Sequence, residues 1–393
     1  MHLRTAAIGL LFALTTVGIA HASIGQDAYD RGDYKTALNY WRPLAEKGDT
    51  AAQLKLGGMY ENGDGVEKDL TQALSWYRKA ADQGDAEAQF DVGTMYDNGE
   101  GVTTNDAEAV VWYRKAADQG YSDAEYNLAV MYDNGEGVPK DEAQAFVWYS
   151  KAAKQGDADA EFNVGVMYDN GDGVSEDKAQ AVEWYRKSAD QENADAQYNL
   201  AIMYDEGQGV ASDDEQAAVW YRKAAEQGKV EAQYNLAIMY RDGEGVTKDG
   251  GKAVEWFTKA ANQGDADAQY NLGTMYADGD GIDEDDATAV TWFRKAAEQD
   301  DVAAEYNLGV MYRDGEGVPK SGAQAVEWFE KAADQGYADA ARNLAVMYRD
   351  GDGVTADWAK SFEWFRRAKT MGRNDNDPAD EDDQPVGKKS IPI

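Results

Sequence analysis

The chain has 393 residues, 43% apolar and 11% aromatic, and carries a formal net charge of −36. A surface this acidic repels nucleic acid and anionic lipid heads, which sets both aside as direct partners and favours basic partner patches. It contains no cysteine, so disulfides, thiol chemistry and acylation at a lipobox cysteine are excluded.

The first segment reads MHLRTAAIGLLFALTTVGIAHAS. A short basic start at Arg4, an apolar stretch from Thr5 to Ala20 and an Ala20-His21-Ala22 box are the three parts of a secretory signal peptide, expected over 1–22. The apolar stretch is short of the roughly 20 residues that span a bilayer. Cleavage after Ala22 also removes both histidines, His2 and His21. No other segment is apolar enough to cross a membrane, so the expectation is a periplasmic or secreted protein without membrane insertion. Residues 23–48 follow as a shorter unit (DAYDRGDYKTALNYWRPLAEKGD, 27–49), which closes the start of what comes next.

From residue 49 to 372 the chain repeats. Met59, Met95, Met131 and their successors to Met347 are spaced by 36, and so are Trp76, Trp112 and their successors to Trp364. Nine units without insertion mean a solenoid of supersecondary units. Within 121–156, Ala124, Leu128, Met131 and Tyr132 share one face of a first helix. Ala145, Trp148, Tyr149, Ala152 and Ala153 share one face of a second. Between them lies a loop with paired glycines, such as Gly135/Gly137, which permit the positive φ that stops a helix. A hydrophobic residue such as Val138 or Ile282 then plugs the gap beneath the loop. The second helix starts at an N-cap: Asp69, Asn105, Asp141, Asp177, Asp213, Asp249, Asp285, Ser321 or Asp357. Six of the nine units have Gln or Glu three residues later, the pattern of a capping box. It usually ends at glycine; Glu192 and Asp300 break that rule and predict less regular turns. Small residues recur at Ala52, Ala88, Ala124 and on to Ala340, and at the Gly57, Gly93, Ala129, Gly165 position, where helices must approach closely. The methionine and tryptophan ladders are expected in the core. Residues 373–393, RNDNDPADEDDQPVGKKSIPI, are acidic, proline-bearing and aperiodic, and predict a disordered tail. Trp358 and Phe362 are extra bulk suited to covering the end of the array.

The repeating string, A-[EQ]-[YF]-N-L-[GA]-x-M-Y-x-x-G-[DE]-G-V-x-x-D-x-x-x-A-x-x-W-[YF]-x-K-A-A-x-x-G, resembles the Sel1-like repeat, a relative of the tetratricopeptide repeat. The resemblance implies an all-α fold, a right-handed α/α superhelical solenoid of helix-loop-helix repeats. It also implies a tetratricopeptide-like cap over 23–48 and protein ligands held in a concave groove lined by the first helices. Some relatives with paired cysteines in each repeat are linked to β-lactam chemistry; this chain lacks those cysteines.

Chemistry is sparse. Without histidine or cysteine the mature chain cannot form the common zinc sites, a Ser-His-Asp triad or a Cys-His pair. Ser175…Lys178 matches S-x-x-K but lies in an interhelix loop without companion motifs. Loops such as ADGDGIDEDD (277–286) lack the EF-hand ligand spacing and are expected as solvated turns. No catalytic residue, metal site or cofactor is expected. The candidate partner-binding residues are an aromatic row, Phe90, Tyr126, Phe162, Tyr198, Tyr234, Tyr270 and Tyr306, which the family's geometry would point into the groove. The asparagines beside it, among them Asn127, Asn199, Asn235 and Asn307, are suited to an extended peptide. A third position changes from Asp97, Asp133, Asp169 and Asp205 to Arg241, Ala277, Arg313 and Arg349, so a partner with a basic and then an acidic segment would fit. The expected function is an exported, monomeric interaction scaffold binding a protein or peptide, in envelope signalling or assembly. A secreted effector that binds host proteins and a carboxylate hydrolase or β-lactam-acting enzyme are the alternatives.

Overall fold

The structure, a computed structural model, describes residues 24–371. The expected signal peptide and acidic tail lie outside the described residues. Among those residues every regular element is a helix, and the chain divides into two compact units, one up to Asp213 and one from Asp214 onward.

The first unit opens with a short helix α1 (24–30) and α2 (Tyr34–Glu46). First helices α3 (Thr50–Asn62), α5 (Ala86–Asn98), α7 (Ser122–Asn134), α9 (Ala158–Asn170) and α11 (Ala194–Glu206) alternate with second helices α4 (Leu70–Ala81), α6 (Asp106–Ala117), α8 (Glu142–Lys154) and α10 (Lys178–Asp190). The second unit holds second helices α12 (Asp214–Glu226), α14 (Gly250–Asn262), α16 (Asp286–Ala297), α18 (Gly322–Asp334) and α20 (Trp358–Met371). Between them run first helices α13 (Val230–Asp242), α15 (Ala266–Asp278), α17 (Val302–Asp314) and α19 (Ala338–Asp350). Within each unit, helices adjacent in sequence pack against one another. That is a solenoid of helix-loop-helix repeats, as the period predicted.

The repeat over 122–157 shows why. In α7, Ala124, Leu128 and Met131 of the expected stripe are buried, with Ala129 beside them, while Tyr132, the fourth member, is half-buried. Gly135 at φ 77° ends the helix, and the Gly135 and Glu136 amides both donate to the Met131 carbonyl. Val138 is half-buried beneath the loop. The chain then returns: the Asp141 amide donates to the Tyr132 carbonyl at 2.8 Å, and the Asp141 carboxylate accepts from the Gln144 amide at 3.0 Å. The N-caps are therefore real at Asp69, Asn105, Asp141, Asp177, Asp249, Asp285, Ser321 and Asp357. The reciprocal half of the capping box is not made at Gln144, because the N-cap amide it would serve already donates to the tyrosine carbonyl.

Two further expectations change. The turns at Glu192 and Asp300 are as regular as the others: both residues adopt the left-handed conformation, at φ 67° and 63°, that glycine takes at Gly84, Gly120 and Gly156. And the second loop glycine does more than bend the chain. A Cβ at Gly137 would sit 2.4 Å from the Asp106 carbonyl group, and one at Gly173 2.2 Å from the Glu142 oxygen. Loop backbone lies directly on the first turn of the preceding second helix.

The small-residue rows do what their spacing predicted. A Cβ at Gly93 would meet the Tyr113 ring at 2.7 Å, and one at Gly309 the Phe329 ring at 2.6 Å. The alanines from Ala52 to Ala340 and the methionines from Met59 to Met347 are buried throughout. Each tryptophan from Trp76 to Trp328 carries a lysine ammonium from one turn later over its ring, as Lys115 does 3.4 Å above Trp112. The cap buries Ala37, Trp41 and Ala45 with Ala52, Leu56 and Met59 of α3, so the start of the array has no bare apolar face.

Candidate partner-binding surface

Each first helix buries a stripe of Ala, Leu or Val, and Met, and leaves one face open. In α5 the open positions are Phe90, Asp91, Thr94 and Asp97, at helical spacing. The same register in the later repeats contains every candidate residue.

The aromatic row is half-buried rather than projecting. In the first unit Phe90 lies 5.8 Å from Tyr113, Tyr126 5.6 Å from Tyr149 and Phe162 5.9 Å from Tyr185, ring centre to ring centre. In the second, Tyr234, Tyr270 and Tyr306 lean in the same way on Phe257, Phe293 and Phe329. Tyr198 is half-buried as well. Phe90 and Tyr306 also pack on Tyr121 and Tyr337 of the next repeat, at 5.3 and 4.8 Å.

The asparagines stand at the seam between repeats. Asn127 and Asn199 lie beside the Tyr113 and Tyr185 hydroxyls of the preceding repeat. Asn271 donates to the Asp267 carbonyl at 2.8 Å and accepts from Arg241 at 2.9 Å. Asn235 and Asn307 are half-buried in the same register. Arg241 and Arg313 are tied down: Arg241 grips Asp242 with two nitrogens at 2.8 and 2.7 Å, and Arg313 repeats the arrangement with Asp314 and with Asn343 at 2.8 Å. Arg349 pairs with Asp350 and is exposed.

Two features of this face escaped the sequence reading. The residue four after the aromatic is β-branched or threonine in Thr94, Val130, Val166, Ile202, Ile238, Thr274 and Val310, and is half-buried in all of them. It adds an apolar row to the polar one; the signal was its helical spacing from the aromatic. The switch from acid to arginine also tracks a second position, sixteen residues on. Glu61 and Asp97 accept from the Tyr77 and Tyr113 hydroxyls at 2.5 and 3.1 Å, and Asp169 from Tyr185 at 3.1 Å. Where the second helix has Phe257, Phe293 or Phe329, with no hydroxyl to donate, the partner position is Arg241, Ala277 or Arg313. Burial, reinforced by the Asp97 charge, pushes the Tyr113 hydroxyl up to about 12, so it stays a donor.

Ala277 leaves a hollow. Its repeat neighbours carry arginine there; with alanine, a cavity of about 370 Å³ opens among Tyr270, Thr274, Asn307 and Val310, rimmed by Asp278 and Glu316. It combines an apolar wall with carboxylates at the mouth, which suits the stem and charge of a lysine or arginine.

Asp91 replaces the usual asparagine, and burial, with Glu87 and Glu61 adding like charge, raises its carboxyl to about 7. Deeper in the seams, Gln89 donates to the Ala81 carbonyl at 3.0 Å and accepts from Gln119 at 2.8 Å; Glu125, Glu161 and Glu305 hold the same place with carboxyls raised by burial. Lys178 turns to Asp169 at 2.6 Å, so its S-x-x-K match with Ser175 assembles no nucleophile. Among the described residues no three acidic side chains converge as metal ligands would, and no helix is long and apolar enough to cross a membrane.

A family model described as Sel1 repeat matches ten consecutive segments, 22–49, 50–85, 86–121, 122–157, 158–193, 194–229, 230–265, 266–301, 302–337 and 338–372. The first of these is the cap. Among solved structures, the chain is similar to c5321, a protective antigen of uropathogenic Escherichia coli displaying an SLR fold. Identity is 36% and TM-score 0.68 over 90% of this chain and 84% of that one. It is also similar to a Sel1 repeat protein from Oxalobacter formigenes, with 35% identity and TM-score 0.61 over 79% of this chain and 90% of that one. A comparison with curated proteins finds no match.

Proposed function

Because the chain belongs to the Sel1 repeat family, whose members are in general protein-interaction scaffolds, we propose that it is an exported, non-catalytic scaffold that holds a protein segment against the open face of its first helices. The hollow at Ala277 is the observation that carries this reading. It is flanked by the aromatic, asparagine and β-branched rows, and its rim is acidic. The partner segment presents a lysine or arginine there, with apolar residues on either side for Tyr270 and Val310. The carboxylates at Asp97 and Asp133 draw further basic residues toward the first unit. Export rests on the three-part form of residues 1–22.

The repeat itself supplies the test. A photo-cross-linker on a single cysteine replacing Thr274 is expected to capture a discrete partner from extract, a clean experiment in a cysteine-free chain. Ala277→Arg gives the position the residue of its neighbours, fills the hollow and should abolish that cross-link with helix content and Tm unchanged. A cross-link that persists at full strength in the variant overturns the assignment. Mass spectrometry of protein recovered from the periplasm or medium should find a chain starting at Ser23.

A further inference from the structure

The far side of the last helix pair differs from every other seam. Trp358, Phe362 and Phe365 of α20 are 72%, 68% and 61% exposed. In the preceding repeats the counterparts of Phe362 and Phe365, such as Val326 and Phe329, are 5% and 0% exposed because the next first helix covers them. Together with Val346, Ala345, Arg342 and Arg349, the three aromatics line a hollow of about 340 Å³.

Trp358 also makes the start of α20 bulkier than the Leu, Asp, Glu, Lys or Gly that opens the other second helices. The counterparts of Trp358 touch the second loop glycine of the next repeat backbone to backbone, as Gly317 lies on Asp286 and Gly353 on Gly322. Charge separates this face too. Over Ala338–Met371 there are six basic and five acidic residues, in a chain with 38 basic and 74 acidic. An apolar occupant that carries acidic residues suits this face.

We propose that the occupant is the chain's own segment 375–393, docked on the end face of α19 and α20. Six carboxylates, Asp375, Asp377, Asp380, Glu381, Asp382 and Asp383, precede Val386, Ile391 and Ile393. The acids complement Arg342, Arg349 and Lys360, and the apolar residues complement the aromatic hollow. Placement favours it as well. Gly372 stands at the repeat position of Gly336, after which the chain turns straight into the helix that covers the preceding pair. The segment is thus delivered onto the face it would cover, and its tether gives it a high effective concentration there. A second copy of the chain is disfavoured by the net charge of −36 on each chain.

The full-length chain tests this with an apolar-surface dye such as anilinonaphthalene sulfonate. Wild type should bind little. A variant with Asp380→Asn, Glu381→Gln, Asp382→Asn and Asp383→Asn should bind several-fold more with the same far-UV circular dichroism, and 0.5 M salt should move wild type the same way. A photo-cross-linker on Ile391→Cys should attach within one molecule to α19 or α20. Equal strong dye binding by both proteins, weak binding by both, a dimeric mass, or cross-links confined to a second molecule or to other helices would each overturn the proposal.

Discussion

Asp300 holds its backbone at φ 63°, a conformation that costs an L-residue roughly 1–2 kcal/mol relative to glycine. At the same turn position a Cβ on Gly120 or Gly156 would meet nothing, so space is not the constraint there and only the dihedral is. Asp300→Gly should therefore stabilise the protein by about 1 kcal/mol, read as a higher urea midpoint. The two classes of glycine can be told apart in the same assay. Gly120→Ala carries the left-handed cost alone, about 1 kcal/mol. Gly137→Ala adds the collision with the Asp106 carbonyl and should lose clearly more. Equal losses would show that loop and helix can separate at that seam without cost.

At the scale of the helix, α5 is out of pattern at one place. Asp91 sits where the later first helices have asparagine, half-buried, with Glu87 and Glu61 nearby. Its carboxyl, raised to about 7, takes up a proton more readily in the folded chain than in the unfolded one. The stability this contributes is complete below the ordinary carboxylate range and is lost as pH rises through about 7. Asp91→Asn restores the row; it should raise the urea midpoint at pH 8 and flatten the change between pH 6 and 8. Glu125, Glu161 and Glu305 act in the same direction, since burial raises each of them. Glu125→Gln supplies the donor that Gln89 uses toward the Ala81 carbonyl, and should gain about 1 kcal/mol at neutral pH.

For the whole molecule, nearest-neighbour packing is the rule that matters. Each helix packs on the helices before and after it in sequence within its unit, and solenoid stability is then a sum of repeat and interface contributions. Removing residues 122–157, one full period, should leave a folded chain whose helical circular dichroism falls in proportion to the residues lost. Removing only 122–139 takes away a first helix and its loop, strands the buried face of α8, and should collapse the cooperative urea transition. A folded half-period variant would contradict the two-helix repeat as the unit of stability.

Period, helix pairs, caps and core were set by the sequence alone, because each depends on residues within a turn or two of one another and the chain states the pattern nine times over. The buried alanines and methionines and the capping aspartates at their repeat positions are of this kind. Stacking decided the rest. The tyrosine–acid pairs join residues sixteen apart, the asparagine–tyrosine contacts cross a seam, and the loop glycine meets a helix thirty-one residues back. Even the hollow at Ala277 exists only because neighbouring helices stand around a missing side chain. Local pattern selects helices; which side chains remain open to a partner depends on where one repeat comes to rest on the next.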